Sequence, residues 1–478
     1  MNTTSNHGWR FHRAEKIWLV VAAVGLLLFG GLLERRTALR HEPMTDLGVF
    51  CIASGALWSG ENPYTISDWH GWHYQYPPAL AIAFLPLAEP VPVSAVTLAP
   101  EKLRTAENTP WGYGIEGKSY YGLHANNSHF FFAVAAWYLL SVLGILFSSH
   151  AIGCALEEKN LRSPPPENPI HRRYWWWRRL LPLVVCAGSL GTDLSRGQAD
   201  ILMLTAMAEG IFLAASNKQF RAGLCFALPA AIKLFPPFLL AYPFLRRQWR
   251  MGLGVVVGLI FLLAALPVAT LGPQRTRELY QCWFEVLAKP ALGQGTNTSR
   301  QSELTGMGST DNQSLLAMIH NWANHSQPCA RRPVNAAEWE RNVVYVAGGL
   351  MIIGVLLVIG RRRKDNPHQL CIITGLLVGL ALLINPIVHN FYYLLLLPLV
   401  AALVDLGMPL EEIGAPDWAM LLPIVAFTLT DLLARIPGVG PLLRVWGVTT
   451  LSLVWLLGAS ALVLLRSGKA RGDLISAP

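Results

Sequence analysis

Long apolar runs alternate with short basic clusters along the whole chain. A helix needs about 20 residues, at 1.5 Å each, to cross the hydrocarbon of a bilayer. Read outward from the clusters, the candidate spans are Ile17 to Leu33, Pro78 to Ala99, His129 to Gly153, Leu180 to Leu194, Ala199 to Ala215 and Ala222 to Leu245. Met251 to Leu271, Val343 to Gly360, Gln369 to Ile384, Pro386 to Val404, Ala419 to Leu433 and Trp446 to Leu465 complete the set. The pattern predicts an all-α polytopic membrane protein of roughly 10–13 transmembrane or re-entrant helices. Residues 1–471 read as one membrane-embedded domain, with 34–77 as the first external loop, 272–341 as a long external loop and 472–478 as a C-terminal tail. The first run lacks a small-residue cleavage site and is followed by further spans, so it reads as a retained helix.

The clusters Arg246/Arg247/Arg250, Arg361/Arg362/Arg363/Lys364 and Arg466/Lys469/Arg471 are separated by even numbers of spans, which puts them on one side. The positive-inside rule makes that side the cytoplasm. Loop 272–341 then lies outside, and its middle, GQGTNTSRQSELTGMGST, reads as a lid. Two places break the alternation. Ala222 to Leu245 has basic residues at both ends and Pro229, Lys233, Pro236 and Pro237 within, which predicts two half-helices that turn back. At the N-terminal end, three candidate spans separate the tail from the basic run RRYWWWRR, where parity demands an even number. Either Glu89 to Ser128 hides a further pass or one of those clusters is not cytoplasmic.

Composition agrees with a lipid solvent: 53% of residues are hydrophobic, 14% are charged, and the mean hydropathy is +0.38. The formal charge of +9 sits at span ends, where it anchors against anionic lipid, so no nucleic-acid partner is expected. The seven cysteines form no CxxC pair, which indicates neither a zinc site nor a redox motif. Cys282 and Cys329 share the long external loop and could pair in an oxidising compartment; unpaired thiols are the expectation.

Ionisable groups at membrane depth are costly and therefore default to functional hypotheses. The segment HEPMTDLGVFCIASGALWSGENPYTISDWHGWHYQYPPAL opens a mildly apolar helix with Asp46, and its aromatics suit an interfacial belt or a sugar-stacking surface equally. GTDLSRGQADILM places Asp193, Arg196 and Asp200 in a tight turn. A turn at the interface is solvated, so ordinary loop polarity explains the two aspartates, and Arg196 is the better anion-binding candidate. In AIKLFPPFLLAYPF, Lys233 lies far from both ends of an apolar segment, which weakens the reading as a snorkelling lysine. NQSLLAMIH carries Asn312 and Gln313, and NPIVHNFYYLLLLP carries His389; a lone histidine is more often structural than catalytic. Asp405, Asp431 and Arg435 lie near span ends, where caps and snorkelling account for them.

Taken in order, Asp46, GENPY and YQYPPAL, RGQADILML, AGLCFALPAAIKLFPPFLLAYPFLRRQWR, NQSLLAMIH and NPIVHNFYYLLLLP resemble glycosyltransferase family 87, whose members include polyprenyl-phosphate mannosyltransferases of mycobacterial lipid synthesis. The resemblance implies a GT-C fold with a cavity facing the extracytoplasmic side of a bacterial inner membrane. It implies transfer of a hexose, mannose foremost, from a polyprenyl-phosphate sugar to a lipid or glycan acceptor, with inversion, and no cofactor or metal. Asp46 matches the catalytic carboxylate of the first external loop; Tyr64, Tyr76, Arg196, Gln198, Lys233, Asn312, Gln313 and His389 become candidate substrate-binding residues. The chain departs from the pattern in the insertion between Glu89 and Ser128, the long loop after Leu271, and NPIVHNFYY in place of the Ser-Pro-Ile-Ser-Trp form common in mycobacterial members. These departures leave the acceptor open. A transporter or flippase for a lipid-linked or polar substrate is the alternative, since internal charges and a Pro-broken helix also build substrate pathways.

Overall fold

The structure is a computed structural model that describes residues 11–39, 45–67, 73–88, 112–115, 118–121, 128–233, 239–289, 311–328, 331–333, 335–360, 366–408 and 416–475. It is nearly all-helical, and among the described residues seven helices are long and apolar enough to cross a membrane. The first is α1 (Arg13–Glu34), whose Leu27 and Leu28 are exposed as lipid-facing residues must be. It is followed by α2 (Thr45–Trp58) and α3 (Pro78–Ala83), both too short to cross. The expected span Pro78 to Ala99 is therefore corrected: α3 stops at Phe84 and passes into a 3-10 turn, Leu85–Leu87, around Pro86. Residues 89–111 lie outside the described ones.

Helix α4 (Ser128–Leu156) makes the return crossing, and α5 (Pro169–Val185) begins beside the start of α1. There Arg172 donates from Nε and Nη2 to the Glu15 carboxylate at 2.5 and 2.6 Å. RRYWWWRR thus lies at the same end of the bundle as the start of α1, two crossings later, and the parity conflict disappears. Between Glu89 and Ser128, the described residues 112–115 and 118–121 are the strands β2 (Gly112–Ile115) and β3 (Lys118–Tyr121), which form a small antiparallel sheet with β1 (Ile66–Ser67), Ile66 opposite Ile115 and Tyr113 opposite Tyr120.

The expected span Leu180 to Leu194 is divided, because α5 ends at Val185 and α6 (Ala187–Arg196) starts after a break at Cys186. Helix α7 (Asp200–Ala215) then returns to the basic end. From there α8 (Gln219–Ile232) rises, but its 14 residues extend only about 21 Å, short of the roughly 30 Å of hydrocarbon. The next long helix, α9, runs from Trp249 to Leu271. It packs on α8 almost backbone to backbone. A Cβ at Gly223 would lie 2.1 Å from the Met251 carbonyl oxygen, one at Gly254 2.1 Å from that of Phe220, and one at Gly258 2.6 Å from Ala227 Cβ. Contacts that climb together, 220 with 254 and 227 with 258, make α8 and α9 parallel. The chain between them must therefore come back down, so the segment turns back as its prolines predict; residues 234–238, with Pro236 and Pro237, lie outside the described residues.

Small residues that let two helix backbones meet are a main device of membrane packing. Gly254→Leu is accordingly expected to push α8 and α9 apart and destabilise the protein by about 1–3 kcal/mol or more. Its thermal unfolding in detergent should fall well below that of Gly349→Leu, where an added Cβ meets nothing within 4 Å.

In the stretch 272–341 after α9, the described residues include two helices, α10 (Pro273–Trp283) at its start and α11 (Leu315–Ala323) toward its end. The stretch read as a lid lies outside the described residues. So does Cys329; Cys282 is a free thiol. The bundle is completed by α12 (Glu338–Gly360), α13 (Pro367–Ile384), a 3-10 segment Asn390–Leu396 leading into α14 (Leu397–Gly407), α15 (Trp418–Leu433), the short α16 (Gly440–Val445) and α17 (Val448–Ile475). Helices α13 and α14 form the dry centre, almost every residue of both being buried. Asp405 is no solvated end cap. Arg178 donates to it and His368 Nε2 lies 2.8 Å away, locking α5, α13 and α14 together at the basic end.

Candidate active site

Four pieces of chain meet at the end of the bundle opposite the basic clusters. The first is the turn between α6 and α7. Gly197 closes α6 in the left-handed region at φ 66°, and its N–H, with that of Gln198, donates to the Asp193 carbonyl oxygen. The turn folds inward, where α2 and the 3-10 segment Asn390–Leu396 cover it. Asp193 and Asp200 are both fully buried. The reading of these aspartates as solvated loop polarity is thus corrected. Both Asp193 carboxyl oxygens, one oxygen of Asp200 and the Gln198 Oε1 find no hydrogen-bond donor among the described residues, a costly arrangement of the kind that active sites concentrate.

Lys233 is the second piece. It leaves α8 in extended backbone, φ −123° and ψ 146°, and carries its Nζ to 2.6 Å from Asp200 Oδ1 and 4.0 Å from the Tyr392 ring centroid. The lysine is buried and paired, not snorkelling. It therefore stands between the Asp200 carboxylate and the face of the Tyr392 ring.

Asp46, in the first turn of α2, is the third. Its Oδ2 lies 3.9 Å from Arg196 Nη1, with side-chain exposures of 27% and 39%, so this carboxylate and cation stand side by side and partly exposed. Gln198 hydrogen-bonds to Asp46 from below, and the Arg196 guanidinium lies 5.4 Å from the Phe391 ring. The fourth piece supplies the aromatic wall. His389 stacks on Phe391 at 5.2 Å and 16°, and meets Tyr392 edge-on. Tyr76 joins it from the loop before α3, 5.7 Å from Lys233 Nζ and edge-on to Phe50.

The remaining candidates do other work. Tyr64 is fully buried; its hydroxyl donates to the Tyr76 carbonyl oxygen at 2.9 Å and its ring packs on Tyr74, so it braces the loop that holds Tyr76. Asn312 Nδ2 donates to the Pro386 carbonyl oxygen and its Oδ1 accepts from the Ser314 and Val388 N–H groups. The Gln313 N–H donates to the Val388 carbonyl oxygen, and its Nε2 to that of Arg444. Both fix the loop that presents His389. Tyr392 and Phe391 were inside the NPIVHNFYY motif but were not singled out. Asp200 was passed over too, although a carboxylate at the head of one apolar helix and a lysine at the tail of the next are a readable charge match.

Burial pushes the His389 imidazole down to about 4, and the positive charges of Arg196 and Lys233 add to this. The ring is therefore neutral near pH 7, a hydrogen-bonding group rather than a cation. Since the unfolded imidazole binds a proton from about pH 6.5 downward and the folded one does not, acidification toward pH 4 costs stability. His389→Asn is expected to remove that contribution, read as the difference between the variant and wild-type thermal midpoints as pH falls from about 7 to 5. A His389→Asn variant whose midpoint changes with pH just as the wild type's does would sink the assignment. Among the described residues no group of three or more His, Cys, Asp or Glu is placed to hold a metal ion.

The family model described as glycosyltransferase family 87 matches residues 74–386, well over half of the chain. No curated protein and no solved structure gives a match. The matched segment contains Tyr76, Arg196, Gln198, Lys233, Asn312 and Gln313. Asp46, Tyr64 and His389 lie outside it and enter the site by geometry.

Proposed function

This chain belongs to glycosyltransferase family 87, and from that membership we propose that it transfers a hexose, mannose foremost, from a polyprenyl-phosphate sugar to a lipid or glycan acceptor. The reaction takes place in a GT-C-type bundle at the extracytoplasmic face of a bacterial inner membrane. The observation that carries this reading is the partly exposed Asp46 carboxylate beside the Arg196 guanidinium, at the end of the bundle opposite the basic clusters, which the positive-inside rule assigns to the cytoplasm.

The donor already contains its leaving group. What remains is to take a proton from an acceptor hydroxyl and to stabilise the charge on the departing lipid phosphate. Asp46 accepts the proton as the hydroxyl oxygen attacks the anomeric carbon; the bond from that carbon to the phosphate oxygen breaks, and the electron pair leaves with the polyprenyl phosphate. Arg196 receives the phosphate charge, and His389, neutral, donates a hydrogen bond. Attack opposite the leaving group inverts the anomeric centre. Lys233 holds Tyr392 and Asp200 in place below and does not touch the phosphate. No metal or other cofactor enters this scheme.

Purified protein in detergent, given labelled polyprenyl-phosphate mannose and a membrane glycolipid extract, should move label into an acceptor whose new linkage has the opposite anomeric configuration, read by mass and NMR analysis. Exchange of lipid-linked sugar across proteoliposomes with no covalent product would replace this reading with the transporter, which the turned-back α8 also fits.

A further inference from the structure

At the basic end, α15 and α17 leave a groove of about 560 Å³ between them, lined by none of the site residues. Its walls include Trp418, Leu422, Trp455 and Leu462, its floor Gly458, and its mouth Arg466. The walls are apolar and open: Trp418 and Trp455 are 59% and 51% exposed. Trp455 to Arg466 spans eleven helical steps, about 16 Å, or one leaflet of a hydrocarbon layer about 30 Å thick.

A glycine inside a helix destabilises it by about 0.5–1 kcal/mol relative to alanine, and at some positions in this bundle close packing offsets that cost. A Cβ at Gly379 would lie 2.5 Å from Leu457 Cδ2, and one at Gly375 2.3 Å from Leu399 Cβ. At Gly458 an added Cβ meets nothing within 4 Å. Gly458 shares this openness with Gly349 and Gly354; here it adds room to a groove that is already lined by two tryptophans and an arginine.

Charge selects the occupant. Arg466 stands where the helix leaves the apolar layer, followed in sequence by Lys469 and Arg471, and a guanidinium at that level is a phosphate-binding group. Trp418 starts α15 at the same level, as interfacial tryptophans do. We propose that the groove is a binding site for an anionic phospholipid of the leaflet at the basic end, with one acyl chain over Gly458 between Trp418 and Trp455 and its phosphate on Arg466.

Delipidated wild-type protein is to be mixed with phosphatidylglycerol, phosphatidylcholine or polyprenyl phosphate, and bound lipid counted by native mass spectrometry. Phosphatidylglycerol is expected to be retained at least fivefold over phosphatidylcholine. Arg466→Gln should erase that preference while leaving the weaker phosphatidylcholine binding, and Gly458→Leu, which grows into open space and should fold normally, should remove both. Equal retention of the two phospholipids, an unchanged preference in Arg466→Gln, or a loss of polyprenyl phosphate retention in Arg466→Gln overturns the proposal, since the proposed transfer site also binds polyprenyl phosphate and Arg466 is not part of it. The sugar-transfer rate of either variant should match the wild type, because neither residue belongs to the site.

Discussion

Asp46→Asn is expected to lower sugar transfer by about 10²–10⁴-fold, the usual contribution of a positioned general base, with the fold unchanged. The amide is isosteric and can still bond to Gln198, but it cannot take a proton from the acceptor. Its lost attraction for Arg196 is small, because at 3.9 Å and with both side chains partly exposed such a pair contributes about 0–1 kcal/mol. Rate and stability therefore separate. The measurement is initial transfer rate against donor and acceptor concentration, together with thermal unfolding in detergent. A drop confined to kcat, with KM for the donor and the unfolding midpoint near wild type, is the expected pattern. Full activity would remove Asp46 from the mechanism.

The second large effect is on stability. Lys233→Met leaves Asp200 fully buried with no positive charge beside it, and breaking such a pair from one side destabilises by about 3–5 kcal/mol. Replacing both partners, Lys233→Met with Asp200→Leu, removes both charges and should recover most of that loss, since buried ion pairs are often no better than well-packed apolar groups. Transfer should not recover. The cation 4.0 Å from the Tyr392 ring is gone, and with it the support of the aromatic floor. Thermal unfolding of the two single variants and the double variant, read as a cycle, decides the matter. A single variant as stable as wild type would mean that the pair does not hold the site.

Much of the bundle was legible because span length and charge placement are local properties. The turned-back α8 could be read from four residues, Pro229, Lys233, Pro236 and Pro237, since a broken helix with basic residues at both ends has few ways to lie in a membrane. Pro78 to Ala99 misled for the opposite reason. Its apolar composition was long enough, yet Pro86 ended the helix early, and apolarity without helix continuity makes no span.

The site was harder to read because its partners are distant in sequence. Asp46 and Arg196 were visible singly; their adjacency follows from α2 folding over the α6–α7 turn. Asp193 and Asp200 looked like surface polarity because burial by a helix and a 3-10 segment hundreds of residues apart leaves no local trace. Asn312 and Gln313 read as ligand-binding amides, and their hydrogen bonds to the backbone groups of Pro386, Val388 and Arg444 are set by chain far away in sequence, which leaves no local trace.

The pairing of Lys233 with Asp200 also bears on how the chain is made. A lysine entering hydrocarbon alone carries an insertion penalty of about 2.5–3.5 kcal/mol. Helix α7 precedes α8, so the ribosome delivers the carboxylate first, and the lysine arrives on the next helix with its counter-ion already in the membrane.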